Sequence, residues 1–216
     1  ARPIEIPGFK HDGKDVWTAE QAVDLPELPK RLVVIGGGII GMELGTVYAK
    51  LGSKVTFLEA LPAILNGIDP EAVRLVQKGL RQREVTVHVN AKAKGYEKKG
   101  GELLVKAEID GKEETIAADK ILVGVGFRPN ADGLGLDKVG VKISPRGFIE
   151  VDAQYRTNVP SIFAIGDVTG APFLAHKASK EGEIAAEVIA GMKSARDWQA
   201  LPGAVFTDPE IGTVGL

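Results

Sequence analysis

Apolar and polar residues along this chain alternate between two periods, and the switches mark its elements. Leu32-Val-Val-Ile35 is a continuous apolar run that leads into Gly36-Gly37-Gly38. A short apolar run bounded by a glycine turn predicts a strand buried on both faces. Ile39-Ile-Gly-Met-Glu-Leu-Gly45 then opens a helical pattern, and Lys54–Leu58 forms a second strand that ends in the acid Glu59. Asp69-Pro70-Glu71 supplies an N-cap, a proline at the first helical position and a first-turn acid, which predicts a helix to about Arg83. Val85–Val89 alternates as a strand. Three more strands are expected near Ala93–Lys98, Leu103–Ile109 and Glu114–Ala118, with Asp110-Gly111 turning between the last two. Such a meander covers one face of a parallel sheet. Ile121–Val125 is expected as the buried strand that closes this domain, and Gly126-Phe127-Arg128-Pro129-Asn130 leaves it.

The flanks are less periodic. Residues 1–29 carry Pro3, Pro7, Pro26 and Pro29 and read as loops, with Thr18 capping a short helix to Ala22. A second block starts near Gly133. It holds a short strand at Phe148–Val151, a buried strand at Ser161–Ile165 ending in Gly166-Asp167, and a helix from His176 to about Met192. The pairs Lys177–Glu181 and Glu183–Glu187 fall on the faces of that helix. Pro202 opens something new, and Val205–Thr207 reads as one strand of an unfinished unit. The fold class expected is α/β: a Rossmann-like doubly wound parallel sheet with an antiparallel β-meander, plus part of a second α/β domain. Gly126-Phe-Arg-Pro129 echoes the opening Arg2-Pro3, so both ends of the chain are expected to be cut from something longer.

Composition narrows the chemistry. The 216 residues are 44% hydrophobic and 26% charged, enough for one large or two small cores. The net charge of −2 supplies no basic field for nucleic acid or an anionic membrane. No apolar run reaches membrane-spanning length, and no signal peptide opens the chain. Cys is absent, which removes structural disulfides, thiolate catalysis and cysteine metal sites together. His11, His88 and His176 are far apart and lack metal-ligand spacing. No metal site and no catalytic residue is expected in this chain.

The glycine turn carries the strongest chemical signal. Gly36, Gly38 and Gly41 form a G-x-G-x-x-G pattern between strand and helix, with an acid closing the next strand. Gly36 permits the tight turn, Gly38 lets backbone approach a pyrophosphate, and Gly41 lets the helix lie close to the strand. Gly37, Ile39 and Ile40 complete the phosphate-facing turn, whose helix offers free N–H groups and a positive dipole end. Glu59 suits the ribose hydroxyls of NAD, and its charge repels the 2′-phosphate of NADP. The residues after it, Ala60-Leu-Pro-Ala63, bring no cation to reverse that choice. Gly45 reads as a packing residue only.

With these residues in place, the sequence resembles the flavin-dependent disulfide oxidoreductases. The matched stretches are Val34–Gly45, Val123–Asn130, Thr157–Asp167 and Leu174–Gly182, with Thr207-Asp-Pro-Glu210 near the end. Ala175-His-Lys-Ala178 together with Glu59 is similar to the lipoamide branch; the glutathione branch uses NADP and has basic residues where Glu59-Ala60 stand. The resemblance covers the whole chain and implies four regions. Residues 1–24 would be the exit from the first half of an FAD domain, with a linker. Residues 25–129 would be the NAD-binding domain, 130–201 the second part of the FAD and central domain, and 202–216 the start of a dimerisation domain.

The resemblance also implies residue roles. Ala93 and Gly126 would touch the adenosine and nicotinamide ends of NAD through backbone. Glu43 would be the acid beside nicotinamide and flavin; a plain helix-surface carboxylate is the competing reading. Asp167 would hydrogen-bond the FAD ribityl chain, against a turn-forming alternative. Phe173, Leu174, Ala175 and His176 would contact the flavin, partly through the N–H groups of the following helix, whose dipole favours negative charge on the reduced ring. Ile39 stands where some relatives place a gating tyrosine, so any gate here is apolar or absent.

The implied cofactors are NAD and FAD. The implied activity is oxidation of dihydrolipoamide carried by a lipoyl-bearing acyltransferase of a 2-oxoacid dehydrogenase complex, with electrons passing through FAD to NAD. A homodimer in a bacterial cytoplasm, or in the mitochondrial matrix of a eukaryote, is implied with it. The redox cysteine pair, the first FAD glycine motif and the C-terminal His–Glu base of the family are not in this sequence. The chain is therefore expected to be an internal fragment, inactive alone. Two alternatives stand beside this reading: another NADH-dependent flavin reductase, such as an NADH oxidase or mercuric reductase, or a stand-alone nucleotide-binding module without chemistry.

Overall fold

A computed structural model describes residues 1–215. In chain order the first elements are β1 (Arg2–Pro3), β2 (Val16–Trp17), α1 (Ala19–Asp24), β3 (Arg31–Ile35), α2 (Ile39–Lys50), β4 (Lys54–Leu58), α3 (Pro70–Gln82) and β5 (Thr86–His88). The meander follows as β6 (Ala91–Lys99), β7 (Glu102–Ile109) and β8 (Lys112–Ala118), then β9 (Lys120–Val123) and β10 (Phe127–Arg128). The remainder holds a 3-10 turn at Gly166–Thr169, α4 (Ala175–Ile189), β11 (Leu201–Val205) and β12 (Ile211–Gly215). The chain forms two compact units. The first is Pro3–Gly126 with Ala204–Gly212; the second is Ala1–Arg2 and Phe127–Gly203 with the residues from Thr213 on.

The first unit is built on a parallel five-stranded sheet in the order β2-β9-β3-β4-β5. Strand side chains alternate between its faces. Leu32, Val34, Val55, Phe57 and Leu122 face a helical layer that contributes Met42, Tyr48, Val73, Val76 and Leu80. Val33, Ile35, Leu58, Ile121 and Val123 face the meander, which returns Leu103, Val105, Ala107 and Ile109. Burial on both faces is why β3 reads as an unbroken apolar run, whereas β7, half exposed, alternates. The doubly wound sheet with its meander is thus the architecture that the hydrophobic pattern indicates.

The structure differs from the sequence reading at several points. Residues 3–24 pack within the first unit: β2 is an edge strand on β9, and buried Trp17 lies 6.0 Å from the Tyr48 ring. The Tyr48 hydroxyl donates to the Ala22 carbonyl at 2.9 Å and fastens α1 to α2. At the start of α1, Gln21 Oε1 accepts from the Thr18 N–H at 2.9 Å and from its hydroxyl at 2.6 Å. β9 stops at Val123 rather than Val125, because Gly124 turns beneath the glycine loop and donates to the Ile35 carbonyl at 2.8 Å.

In the second unit, Phe148–Val151 and Ser161–Ile165 do not form strands. Ile149 and Phe163 each make a single antiparallel bridge, to Ile143 and Arg156. The backbone bonds locally instead, Thr157 N–H to Ile162 and Ala164 N–H to Tyr155, and Ile165 is 41% exposed. An apolar run becomes a strand only where a neighbour completes the ladder. α4 carries Lys177 and Glu181 as a buried ion pair at 2.9 Å, not a surface pair, and Glu183 bonds Lys180 rather than pairing with Glu187. The expected lone strand at Val205–Thr207 is a hairpin: β11 begins at Leu201, includes Pro202, and pairs with β12. An edge strand tolerates that proline.

Two constraints in the first unit yield predictions. A Cβ at Gly45 would stand 2.2 Å from Cζ of the fully buried Phe57. Gly45→Ala should therefore destabilise by about 1–3 kcal/mol in thermal unfolding, and Phe57→Leu in the same chain should recover part of that loss. At the other end of β3, Arg31 holds Asp119 through Nη2 at 2.6 Å and its N–H at 2.8 Å. The Arg31 guanidinium lowers the Asp119 carboxyl below the usual range. A lowered carboxyl stabilises the fold above its unfolded value of about 3.9 and loses that contribution as pH falls through the folded value. Asp119→Asn should thus lower stability near neutral pH, by at most about 1 kcal/mol, and the gap to the parent protein should close in acid melts. A gap constant down to pH 2 would contradict the pairing.

Candidate nucleotide-binding site

At the carboxyl end of β3 the chain turns through Gly36, with φ +107°. A Cβ there would strike the Gly124 carbonyl at 2.6 Å, and one at Gly41 would meet the Gly36 carbonyl at 2.2 Å. These two glycines pack backbone on backbone and draw α2 down against the sheet. Gly38 behaves differently: nothing lies within 4 Å of a Cβ built on it, and it is exposed together with Ile39. Gly38 is also the N-cap of α2 and makes no side-chain cap bond. The first-turn N–H groups have no acceptor within the helix.

Glu59 directly follows β4 beside this turn and is buried. Its carboxylate accepts from the Gly37 N–H at 2.5 Å and from the Leu61 N–H at 2.7 Å. The Gly37 carbonyl in turn accepts from the Leu65 N–H at 2.8 Å. β6 begins alongside: the Ala91 N–H donates to the Glu59 carbonyl at 2.8 Å, and Ala93 follows two residues later. Gly126 has φ +106°, and its carbonyl accepts from the Ile4 N–H at 3.1 Å. Glu43, on α2, is not a bare surface carboxylate; its Oε1 accepts from the Phe206 N–H at 2.8 Å. Gly36, Gly37, Gly38, Ile39, Ile40, Gly41 and Glu59 thus meet at one place. Ala93 lies inside β6, near its start, and Gly126 lies beyond the end of β9, both in the same unit.

In the second unit, Gly166 has φ +76°, and its N–H donates to Glu181 at 2.5 Å. Lys177 Nζ bonds the Gly170 carbonyl at 3.1 Å. The buried pair on α4 therefore holds both ends of the turn that carries Asp167, which is half-buried. No hydrogen bond engages the Asp167 carboxylate among the described residues. Leu174 is the N-cap of α4, again with no side-chain cap bond, and Phe173 is 43% exposed against the Phe148 ring. His176 is tied at Nε2, which donates to the Pro202 carbonyl at 2.7 Å. Among the described residues no group of three or more His, Cys, Asp and Glu could hold a metal, and no helix is long and apolar enough to cross a membrane.

Sequence reasoning missed the loop between β4 and α3. Ile64 and Leu65 are each 1% exposed, and a Cβ at Gly37 would strike Ile64 Cγ2 at 2.8 Å. Two adjacent apolar residues inside a loop were the available signal. It also missed Lys177 and Glu181 as the supports of Asp167; a helical i,i+4 ion pair reads as solvated unless its burial is known.

The family model for pyridine nucleotide-disulphide oxidoreductases matches residues 1–182. Dihydrolipoyl dehydrogenase from Geobacillus stearothermophilus is 51% identical over 215 residues, spanning 100% of this chain and 46% of the relative. The enzyme of the same name from Bacillus subtilis (strain 168) is 47% identical over 216 residues, with the same coverage. Among solved structures, LpdA from Mycobacterium tuberculosis aligns over 100% of this chain and 46% of its own, with a TM-score of 0.90 and 33% identity. The HOCl-induced flavoprotein disulfide reductase RclA from Escherichia coli aligns over 97% of this chain and 46% of its own, with a TM-score of 0.86 and 28% identity. The chain spans about half the length of the relatives it matches, and with a glycine turn, meander and second unit that all align, it belongs to the pyridine nucleotide-disulphide oxidoreductase family.

Proposed function

We propose that this chain is the NAD-binding and partial FAD-binding portion of a dihydrolipoyl dehydrogenase. Such an enzyme oxidises dihydrolipoamide on the lipoyl-bearing acyltransferase of a 2-oxoacid dehydrogenase complex and passes the electrons through FAD to NAD. It works as a homodimer, and in bacteria like the relatives named above it is cytoplasmic. The observation that carries the reading is the Glu59 carboxylate, buried against the glycine turn while Gly38 stays open. An adenine nucleotide laid on the α2 N-terminus would set its pyrophosphate on free N–H groups and its ribose beside Glu59. The two bonds that Glu59 already accepts leave lone pairs for ribose hydroxyls. A 2′-phosphate would meet a like charge there, so NAD is preferred to NADP.

The second unit fits FAD on two counts. Asp167 offers an unengaged carboxylate on a turn braced by Glu181 and Lys177, and α4 offers an uncapped N-terminal turn at Leu174, Ala175 and His176. Asp167 would hold the ribityl hydroxyls, and Phe173 to His176 would line the ring. FAD supplies the two-electron redox chemistry when bound. This chain contributes orientation and electrostatics: Glu43 at the nicotinamide end, the α2 dipole at the phosphates, the α4 dipole at the flavin. With no Cys in the sequence, no residue here takes the thiol step, and the chain alone should not oxidise dihydrolipoamide.

Calorimetric titration tests the proposal. The full chain should bind NAD, bind NADP much more weakly, and take up little FAD. Glu59→Gln should weaken NAD by about 10–100-fold, the range expected for losing a charged hydrogen-bond acceptor, and should narrow the gap to NADP. Stoichiometric FAD without NAD, or a Glu59→Gln chain with unchanged affinity for both dinucleotides, would reject it.

A further inference from the structure

Positions i, i+4 and i+7 share one face of a helix, so α2 presents Glu43, Val47 and Lys50 together. The tip of the β11–β12 hairpin, residues 204–212, lies along that face and against the end of α3. Its inner residues Val205, Thr207 and Ile211 are 2%, 3% and 8% exposed. Its polar contacts form a clasp. The Phe206 N–H donates to Glu43 Oε1 at 2.8 Å. Two residues on, Asp208 Oδ2 accepts from Lys50 Nζ at 3.1 Å and from Arg83 Nη2 at 2.5 Å. Arg83 also donates through Nη1 to the Gly79 carbonyl at 3.0 Å. Gly79 is bare where the hairpin crosses it: a Cβ there would meet the Asp208 carbonyl at 2.4 Å.

This arrangement ties the first half of α2 to its last turn through the hairpin. Asp208 is pinned to the ends of two helices, and that pinning sets where the Phe206 amide meets α2. The amide then fixes one oxygen of Glu43. The other oxygen has no hydrogen bond among the described residues and can act on a ligand. We infer that Asp208, held by Lys50 and Arg83, is a positioning residue for Glu43, setting its carboxylate for the nicotinamide half of NAD. The inference rests on the assignment of Glu43 made above.

The test compares NAD with ADP-ribose, which lacks only the nicotinamide, by calorimetry on the full chain. Asp208→Asn keeps the shape and removes the charge; Gly79→Ala pushes the hairpin off α3 by a second route. Asp208→Asn and Glu43→Gln should each weaken NAD by about 3–10-fold, as for one lost hydrogen bond, and leave ADP-ribose within about twofold. Gly79→Ala should give the same selective loss while the melting transition stays cooperative. A clasp that served stability alone would weaken both ligands together, or neither, and would overturn the inference. If Glu43→Gln leaves the NAD to ADP-ribose ratio unchanged, the Glu43 assignment itself fails. If Glu43→Gln shifts the ratio and Asp208→Asn and Gly79→Ala do not, the assignment stands and the positioning role is rejected.

Discussion

The backbone of Gly37 is the point on which the glycine turn of this chain depends. Its N–H is held by the Glu59 carboxylate and the following carbonyl by the Leu65 N–H, at 2.5 and 2.8 Å. A buried peptide group must find both partners or lose the cost of leaving water. Here both come from the β4 end and the loop beyond it. The shape of the glycine turn is therefore tied to β4, which pairs with β3 along its whole length. Gly38 stays open beyond it and is the N-cap from which α2 starts. One carboxylate braces the turn from inside through the Gly37 and Leu61 N–H groups, and under the proposed function the same carboxylate would meet the sugar of the dinucleotide.

Much of this was legible in the residues. β3, α2, β4 and α3 were marked by an apolar run, a glycine pattern, alternation and the Asp69-Pro70 start, and each of these signals is local. The meander was legible for the same reason, since Asp110-Gly111 sets its turn and β7 alternates strictly. Gly45 is a packing residue in sequence and structure alike, because Phe57 fills the space that its side chain would need.

What could not be read depends on partners distant in sequence. Ser161–Ile165 has the composition of a buried strand, but no second strand completes it among the described residues. Lys177–Glu181 looks like an exposed helical pair until the Gly166–Gly170 turn is seen sitting on it. Ile64 and Leu65 look like stray apolar residues until their burial over Gly37 is known. Glu43 and Phe206 lie 163 positions apart, and no periodicity connects them. Local signals mark the glycine turn and Glu59; the contacts that hold Glu43, Asp167 and Gly37 in place come from residues distant in sequence.

A dinucleotide bound as proposed would rest on the open N-terminal turn of α2 with its ribose against Glu59. Backbone amide NMR of the full chain during NAD titration tests it most directly. Large saturable shifts are expected at Gly38, Ile39, Ile40 and Leu61, with little change at the Asp110-Gly111 turn. Saturable NAD binding that leaves the Gly38–Ile40 amides unmoved would contradict it.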